Sequence, residues 1–322
     1  MAKVERNKVT NVTLYTGGNG RESCYCNCPG CSQKERNQRY QGTIEQATEM
    51  LDLLPNLEEL YVFGNPDVAV DTSFCNRIFR MAIERGIHVS ACTSGVGGKK
   101  TLKTLLEGIP ANMVNKLSFS FDSVHSEDMD IYKGIRYPFE TAIEGLSWAI
   151  SNGYHVRVQP TIWQSNCLKV EELMEYFIKL GVDRFRFHMG SIEHGVPSDK
   201  HNHVTVDEMK KVHSQIDNVV NRHPDIKVRC PSFFWLGDSS QYHHCQHPSE
   251  AKDLLVFFSK EGIRATITPI VAEFTSDVTW ILGQEIDFPE IKIEGDMCPF
   301  SKLLTGGISS QCRYQSRLWN WK

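Results

Sequence analysis

The sequence contains no apolar run approaching the ~20 residues that cross a bilayer. Its first residues, Met1-Ala2-Lys3-Val4-Glu5-Arg6, lack the apolar segment of a secretory signal. It has no block of Lys or Arg, and the net charge over 322 residues is −4. Composition therefore gives no reason to expect nucleic acid or an anionic membrane as a partner. These absences together predict a soluble, cytoplasmic protein. Disulfides are disfavoured in that compartment, and eleven cysteines cannot all pair. Clustered cysteines are therefore expected to ligate metal or do redox chemistry. The isolated Cys75, Cys92 and Cys167 are expected to pack as small buried apolar groups.

Four thiols do cluster, in Cys24-Tyr25-Cys26-Asn27-Cys28-Pro29-Gly30-Cys31. Cys24, Cys28 and Cys31 are spaced C-x3-C-x2-C. A loop that tight can present three thiolates to one face of an iron–sulfur cube and leave one iron open to a small ligand. Zinc is the alternative, but its usual fourth ligand would have to be Cys26.

At 40% hydrophobic residues, the chain can bury a sizeable core, and its length fits one barrel-sized α/β domain with a small appendage. Short apolar or β-branched runs at 9–15, 59–63, 87–92, 116–121, 155–162 and 184–189 read as strands. Helical periodicity follows at 43–54, 73–85, 99–106, 138–151, 170–180 and 205–222, with Thr43 a plausible N-cap and Gly86 and Gly181 as stops. The strands read more as continuous apolar runs than as alternation. Alternating units of this kind predict an α/β fold, a partial (β/α)6 TIM-like barrel over 1–225, with function at the strand C-terminal ends. Residues 226–322 read as a small, loop-rich α+β extension. It holds a strand ending at Cys230, a hairpin around Lys260-Glu261-Gly262, and the histidine-rich Tyr242-His243-His244-Cys245-Gln246-His247.

The cysteine spacing after strand 1 of such a barrel resembles the radical S-adenosylmethionine (SAM) superfamily. That resemblance implies a [4Fe-4S] cluster on Cys24, Cys28 and Cys31 whose open iron chelates SAM, and reductive cleavage of SAM to a hydrogen-abstracting 5′-deoxyadenosyl radical. It also implies a one-electron donor such as flavodoxin or ferredoxin. Phe63-Gly64-Asn65-Pro66 stands where the family has Gly-Gly-Glu-Pro, so Gly64, Asn65 and Pro66 are expected near the SAM amino group. Ser118, Ser120 and Asp122, in the strand-4 motif, are implied to reach the SAM ribose and carboxylate. Gln159, Thr161, His188 and Ser191 are candidates for ribose and adenine. Gly30 departs from the family, which usually has an aromatic residue there, and Cys26 is a spare thiol.

The later cysteines resemble the twitch or SPASM extensions that hold an auxiliary [4Fe-4S] cluster. Cys230, Cys298 and Cys312 are the implied ligands; Cys245 is either the fourth or a thiol giving a hydrogen atom to a substrate radical. Scattered core cysteines, and a zinc site on the histidine loop, are the alternatives. Strand 1 begins by residue 9, which leaves no room for an N-terminal leader-recognition domain and favours a small polar metabolite. Relatives with one auxiliary domain include epimerases and dehydrogenases of aminocyclitols and aminoglycosides in antibiotic biosynthesis. Asp122, Glu193, His194, Asp199 and the Phe233-Phe234-Trp235 loop would face such a cationic sugar. Peptide modification and a non-catalytic metal-binding barrel are the competing readings.

Overall fold

A computed structural model describes residues 6–16, 24–29, 42–63, 67–189, 204–231, 253–260, 262–267, 280–282 and 316–319. In chain order the elements are β1 (Asn11–Tyr15), α1 (Ile44–Leu53), β2 (Glu59–Val62), α2 (Thr72–Glu84), β3 (His88–Thr93), α3 (Gly98–Leu105) and β4 (Val114–Phe119). Then come α4 (Ser126–Lys133), α5 (Phe139–Ser151), β5 (Val156–Val158), β6 (Thr161–Ile162), α6 (Val170–Lys179), β7 (Arg184–Arg186) and β8 (His188–Met189). The last are α7 (Val206–Arg222), β9 (Lys227–Pro231), β10 (Asp253–Ser259), β11 (Gly262–Ile267), β12 (Trp280–Ile281) and β13 (Ser316–Trp319).

Local chemistry explains the helix ends. Thr43 closes a capping box on α1: its hydroxyl accepts from the Gln46 N–H at 3.2 Å, and Gln46 Oε1 accepts from the Thr43 N–H at 3.1 Å. Thr205 and Glu208 repeat the motif on α7. One helix was not expected. Ser126–Lys133, between the expected strand at 116–121 and the expected helix at 138–151, is α4, with Glu127 and Asp128 in its first turn and Lys133 in its last.

The strands form one sheet in the order β12-β11-β10-β1-β2-β3-β4-β5-β7-β9-β13, and every neighbouring pair from β10 through β9 is parallel. The expected partial barrel is present, but the parallel sheet is longer than six strands. β9 follows α7 and pairs with β7, and the first strand of the expected hairpin, β10, lies parallel to β1. Residues on both sides of 225/226 thus build one sheet. The fifth and sixth expected strands each break. Their second halves, β6 and β8, pair with one another as a short separate ladder.

The helix-facing residues make the core: Leu14, Leu60, Val89, Leu117, Val158, Phe185, Val228 and Val256 are all at 0–1% exposure. Phe121 packs against Phe119, Tyr137, Phe139 and Phe177 with ring centroids 4.9–6.2 Å apart. The inner face of the sheet is polar, which corrects the expectation of continuous apolar strands. In Val156-Arg157-Val158 and Arg184-Phe185-Arg186 the apolar residues face the helices and the basic ones the barrel interior. A partial barrel has a concave face not covered by helices, so alternation is the pattern its strands need. No helix among the described residues is long and apolar enough to cross a membrane.

Candidate functional site

After β1 the chain reaches the C-terminal end of the barrel, and residues 24–29 of the cysteine loop lie there. Cys24, Cys26 and Cys28 are half-buried and free of disulfides. The Cys26 N–H donates to Cys24 Sγ at 3.3 Å. A hydrogen bond from Cys24, with burial adding to it, pushes the Cys26 thiol up to about 12. Its contact with Cys26, together with burial, also raises Cys28. Cys26 thus touches Cys24 on one side and Cys28 on the other.

The loop is anchored by the end of α4. The Asn27 N–H donates to the Lys133 carbonyl at 2.8 Å. Gly134 caps α4 in the left-handed region, at φ 63°, and a Cβ there would overlap the Asn27 carbonyl oxygen. Glycine is needed at this position twice over, for its φ and for the approach of the loop.

Lys133 turns its side chain into the barrel mouth. Its ammonium donates to Asp122 Oδ2 at 2.8 Å and to Ser120 Oγ at 2.9 Å, with both charged side chains almost wholly buried. Burial alone would push the ammonium down; Asp122 and Cys28 beside it outweigh that and hold it above its ordinary value. The other carboxylate oxygen of Asp122 accepts from the Thr161 N–H at 2.6 Å, and Asn166 Nδ2 donates to the Asp122 carbonyl at 3.0 Å. Asp122 is thus a neutralised, fully bonded residue at the strand-4 end.

A second network lies deeper. Arg157, 3% exposed, donates from Nε to Ser118 Oγ at 3.0 Å, and its terminal nitrogen donates to Gln159 Oε1 at 2.8 Å and the Tyr61 hydroxyl at 3.3 Å. Arg157 lies on β5 and Tyr61 on β2, so this contact crosses the concave face over β4 and β3. Burial raises the Tyr61 hydroxyl, and burial likewise lifts the Cys92 thiol to about 11.

Of the expected cofactor residues, Ser118, Ser120, Asp122, Gln159 and Thr161 come together in these two networks. His188 joins at the β6–β8 ladder, opposite Thr161. Gly64, Asn65, Pro66, Ser191, Cys31, Cys245, Cys298 and Cys312 lie outside the described residues. Cys230 lies on β9 at 0% exposure within the apolar core, on the helix-facing side. Cys75, Cys92 and Cys167 are buried, as expected of isolated cysteines. Sequence reading missed Lys133 and Arg157. The acidic-first, basic-last pattern of α4 ending in Gly134, and the alternation around Arg157, are the signals that mark them.

Among the described residues no three His, Cys, Asp or Glu side chains group as a metal site. Two of the three expected ligands, Cys24 and Cys28, do stand at the barrel mouth. Metal-bound thiolates are negative, and Lys133 supplies a buried positive charge within electrostatic reach of Cys28. The donor chemistry fits a thiolate-held cluster.

No protein-family model matches the chain, and no curated protein does. Solved structures match its fold. SuiB from Streptococcus suis shares 11% identity at a TM-score of 0.65, covering 85% of this chain and 63% of SuiB. SuiB has also been solved bound to S-adenosylmethionine and bound to its precursor peptide SuiA. A structure of anSMEcpe with bound AdoMet shares 11% identity at a TM-score of 0.56, covering 67% of this chain and 62% of that one. anSMEcpe is also solved with AdoMet and the Cp18Cys peptide. The chain spans less than two thirds of the length of these structures, and the likeness is one of fold.

Proposed function

We propose that the chain is a radical SAM enzyme that abstracts hydrogen from a polar substrate. The observation that carries the reading is the anchoring of the Cys24–Cys28 loop over the strand C-terminal ends by Lys133 and Gly134. In this reading Cys24, Cys28 and Cys31 hold a [4Fe-4S] cluster. Gly64, Asn65, Pro66, Ser118, Ser120, Asp122, Gln159, Thr161, His188 and Ser191 surround SAM. When bound, cluster and SAM supply one-electron cleavage and a 5′-deoxyadenosyl radical, with the electron coming from a flavodoxin- or ferredoxin-like donor.

The chain's own residues do the positioning. Lys133 offsets negative charge at the cysteine loop and fixes Asp122 and Ser120. Asp122, bonded through both oxygens, sets the path of the chain from β4 to Thr161. The Arg157 network holds Ser118 and Gln159 rigidly below the mouth.

Within this reading residues 1–225 are the catalytic barrel. Residues 226–322 add β9 and the β10–β11 hairpin to its sheet and carry the expected auxiliary-cluster cysteines Cys230, Cys298 and Cys312. The substrate is a polar small molecule undergoing epimerisation or dehydrogenation, with Cys245 the hydrogen-atom donor for the former. The first test is anaerobic reconstitution with iron, sulfide, dithionite and SAM. The reading requires 5′-deoxyadenosine from the wild type and its loss in Cys28→Ala; a wild type that forms none would leave a non-catalytic metal-binding barrel. Iron counting on a Cys24/Cys28/Cys31 triple alanine variant tests the auxiliary cluster, which predicts residual iron–sulfur absorbance.

A second reading is peptide modification, favoured by the peptides bound in solved SuiB and anSMEcpe structures of this fold. Products made in D2O from small-molecule and peptide substrate pools would separate the two.

A further inference from the structure

Three stretches of chain at the barrel mouth are tied together through Asp67 and Tyr137. The first is the cysteine loop, held by the Asn27 N–H on the Lys133 carbonyl. The second follows β2, where Asp67 comes directly after Gly64-Asn65-Pro66 in the chain. The third is the turn at 94–97, between β3 and α3. Asp67 joins the second to the third. Its Oδ2 accepts from the Ser94 N–H at 2.7 Å and from the Ser94 hydroxyl, while Oδ1 accepts from the Ala69 N–H at 2.9 Å. Tyr137 joins the third to the first. Its hydroxyl donates to the Ser94 carbonyl, and its N–H donates at 2.6 Å to Oδ1 of Asp130, which lies on α4 in the turn that ends at Lys133.

A second route closes the same circuit. The Gly95 N–H donates to Thr93 Oγ1 at 3.0 Å, the Ser120 N–H donates to the Thr93 carbonyl at 3.0 Å, and the Ser120 hydroxyl accepts from Lys133. Gly95 lets the third stretch come this close: its φ is 83°, and a Cβ there would stand 3.4 Å from the Tyr137 hydroxyl oxygen and 3.0 Å from the Ala142 Cβ. Asp67 and Tyr137 are 5% and 4% exposed. Burial raises the Tyr137 hydroxyl, and Lys133, Cys26, Asp67 and Asp122 all lie within electrostatic reach of it. A carboxylate is costly to bury even when it is bonded. What a satisfied buried network contributes is one fixed geometry.

We propose that Asp67 and Tyr137 are positioning residues that fix the chain leaving Gly64-Asn65-Pro66 relative to the cysteine loop. The proposal rests on the radical SAM reading for what those two stretches bind. In that reading one meets the SAM amino group and the other presents the open iron, and a single ligand must reach both at once. A small displacement of either stretch then costs affinity although every contacting residue is still present. Asp67 and Tyr137 need not touch SAM for this; they act through Ser94 and the last turn of α4.

The test compares Tyr137→Phe with Tyr154→Phe in the full chain. Each removes one hydroxyl donated to a loop carbonyl and keeps the ring, but Tyr154 bonds the Ile109 carbonyl, at 3.1 Å, at the opposite end of the barrel. After reconstitution with iron and sulfide, affinity for SAM should fall roughly tenfold in Tyr137→Phe and stay at the wild-type value in Tyr154→Phe, with iron content alike in both. At equal SAM, the paramagnetic resonance spectrum of the reduced cluster should change less in Tyr137→Phe. Asp67→Ala should weaken SAM binding more than Asp67→Asn, which keeps an acceptor for Ser94. A readout without SAM uses the metal-free, reduced chain: amide exchange in Tyr137→Phe should quicken at 94–97 and also at 24–28 and 67–70. Quickening confined to 94–97, or equal SAM affinity in the two tyrosine variants, would overturn the proposal. Should the variants fail to fold, the wild type decides, because bound SAM should slow exchange at 94–97 and unchanged exchange there would sink the idea. Linked exchange with no 5′-deoxyadenosine from the wild type removes only the radical reading. Unlinked exchange with 5′-deoxyadenosine formed removes only this inference.

Discussion

Removing the Lys133 ammonium should destabilise the fold more than any surface charge change. Its nitrogen lies 2.8 Å from Asp122 Oδ2, and the two side chains are 3% and 6% exposed. At an effective dielectric of about 20, that separation corresponds to roughly 6 kcal/mol of attraction. Most of it offsets the cost of taking two ions out of water, so the intact pair contributes little net stability. The half-pair is different. Lys133→Met leaves a buried carboxylate whose second oxygen keeps only the Thr161 N–H, and the expected loss is about 3–5 kcal/mol. That is a large share of a typical domain's ~5–15 kcal/mol. Asp122→Asn in the same background removes the stranded charge while keeping an acceptor for Thr161. The double variant should therefore be more stable than Lys133→Met alone, with a coupling of at least about 2 kcal/mol. Urea unfolding of the metal-free chain under reducing conditions reads both. A Lys133→Met loss below about 1 kcal/mol would refute the burial argument.

Gly134→Ala should cost about 1–2 kcal/mol from its left-handed φ alone, and its Cβ should displace Asn27. Iron retained after reconstitution should fall, whereas Lys133→Met keeps the backbone anchor and should retain iron better. Glu59 is held below the ordinary carboxylate value: burial would raise it, but Lys116 and Ser90 outweigh that. Its contribution is complete above the unfolded glutamate value and is lost as pH falls through the lower folded one. Urea midpoints should therefore drop below about pH 4.5, and less steeply in Glu59→Gln. Gly42→Ala would drive a Cβ into the Phe258 ring on β10, so it should loosen the β10–β1 pairing. Faster hydrogen exchange at 253–259 than in the wild type is the expected readout, with exchange in β3 and β4 unchanged.

Much of the barrel was legible because its signals are local. Thr43 and Thr205 start helices through hydroxyls that reach the third following N–H, and such contacts need no tertiary partner. Helix α4 was missed because its apolar face is short, Met129 and Tyr132, and only packing against the strand-4 end makes it worth forming. The breaks within 155–162 and 184–189 were hidden because both halves are equally β-prone.

The sequence by itself determined the alternation of strands and helices, the burial of isolated cysteines, and the cysteine loop after β1. Each follows from residue type and spacing along the chain. Tertiary structure alone decided that β10 closes against β1, that Lys133 neutralises Asp122 and anchors the loop at Asn27, and that Arg157 reaches Tyr61 across the concave face. Those facts join residues distant in the chain, and the field they create depends on curvature and burial, which no local spacing encodes.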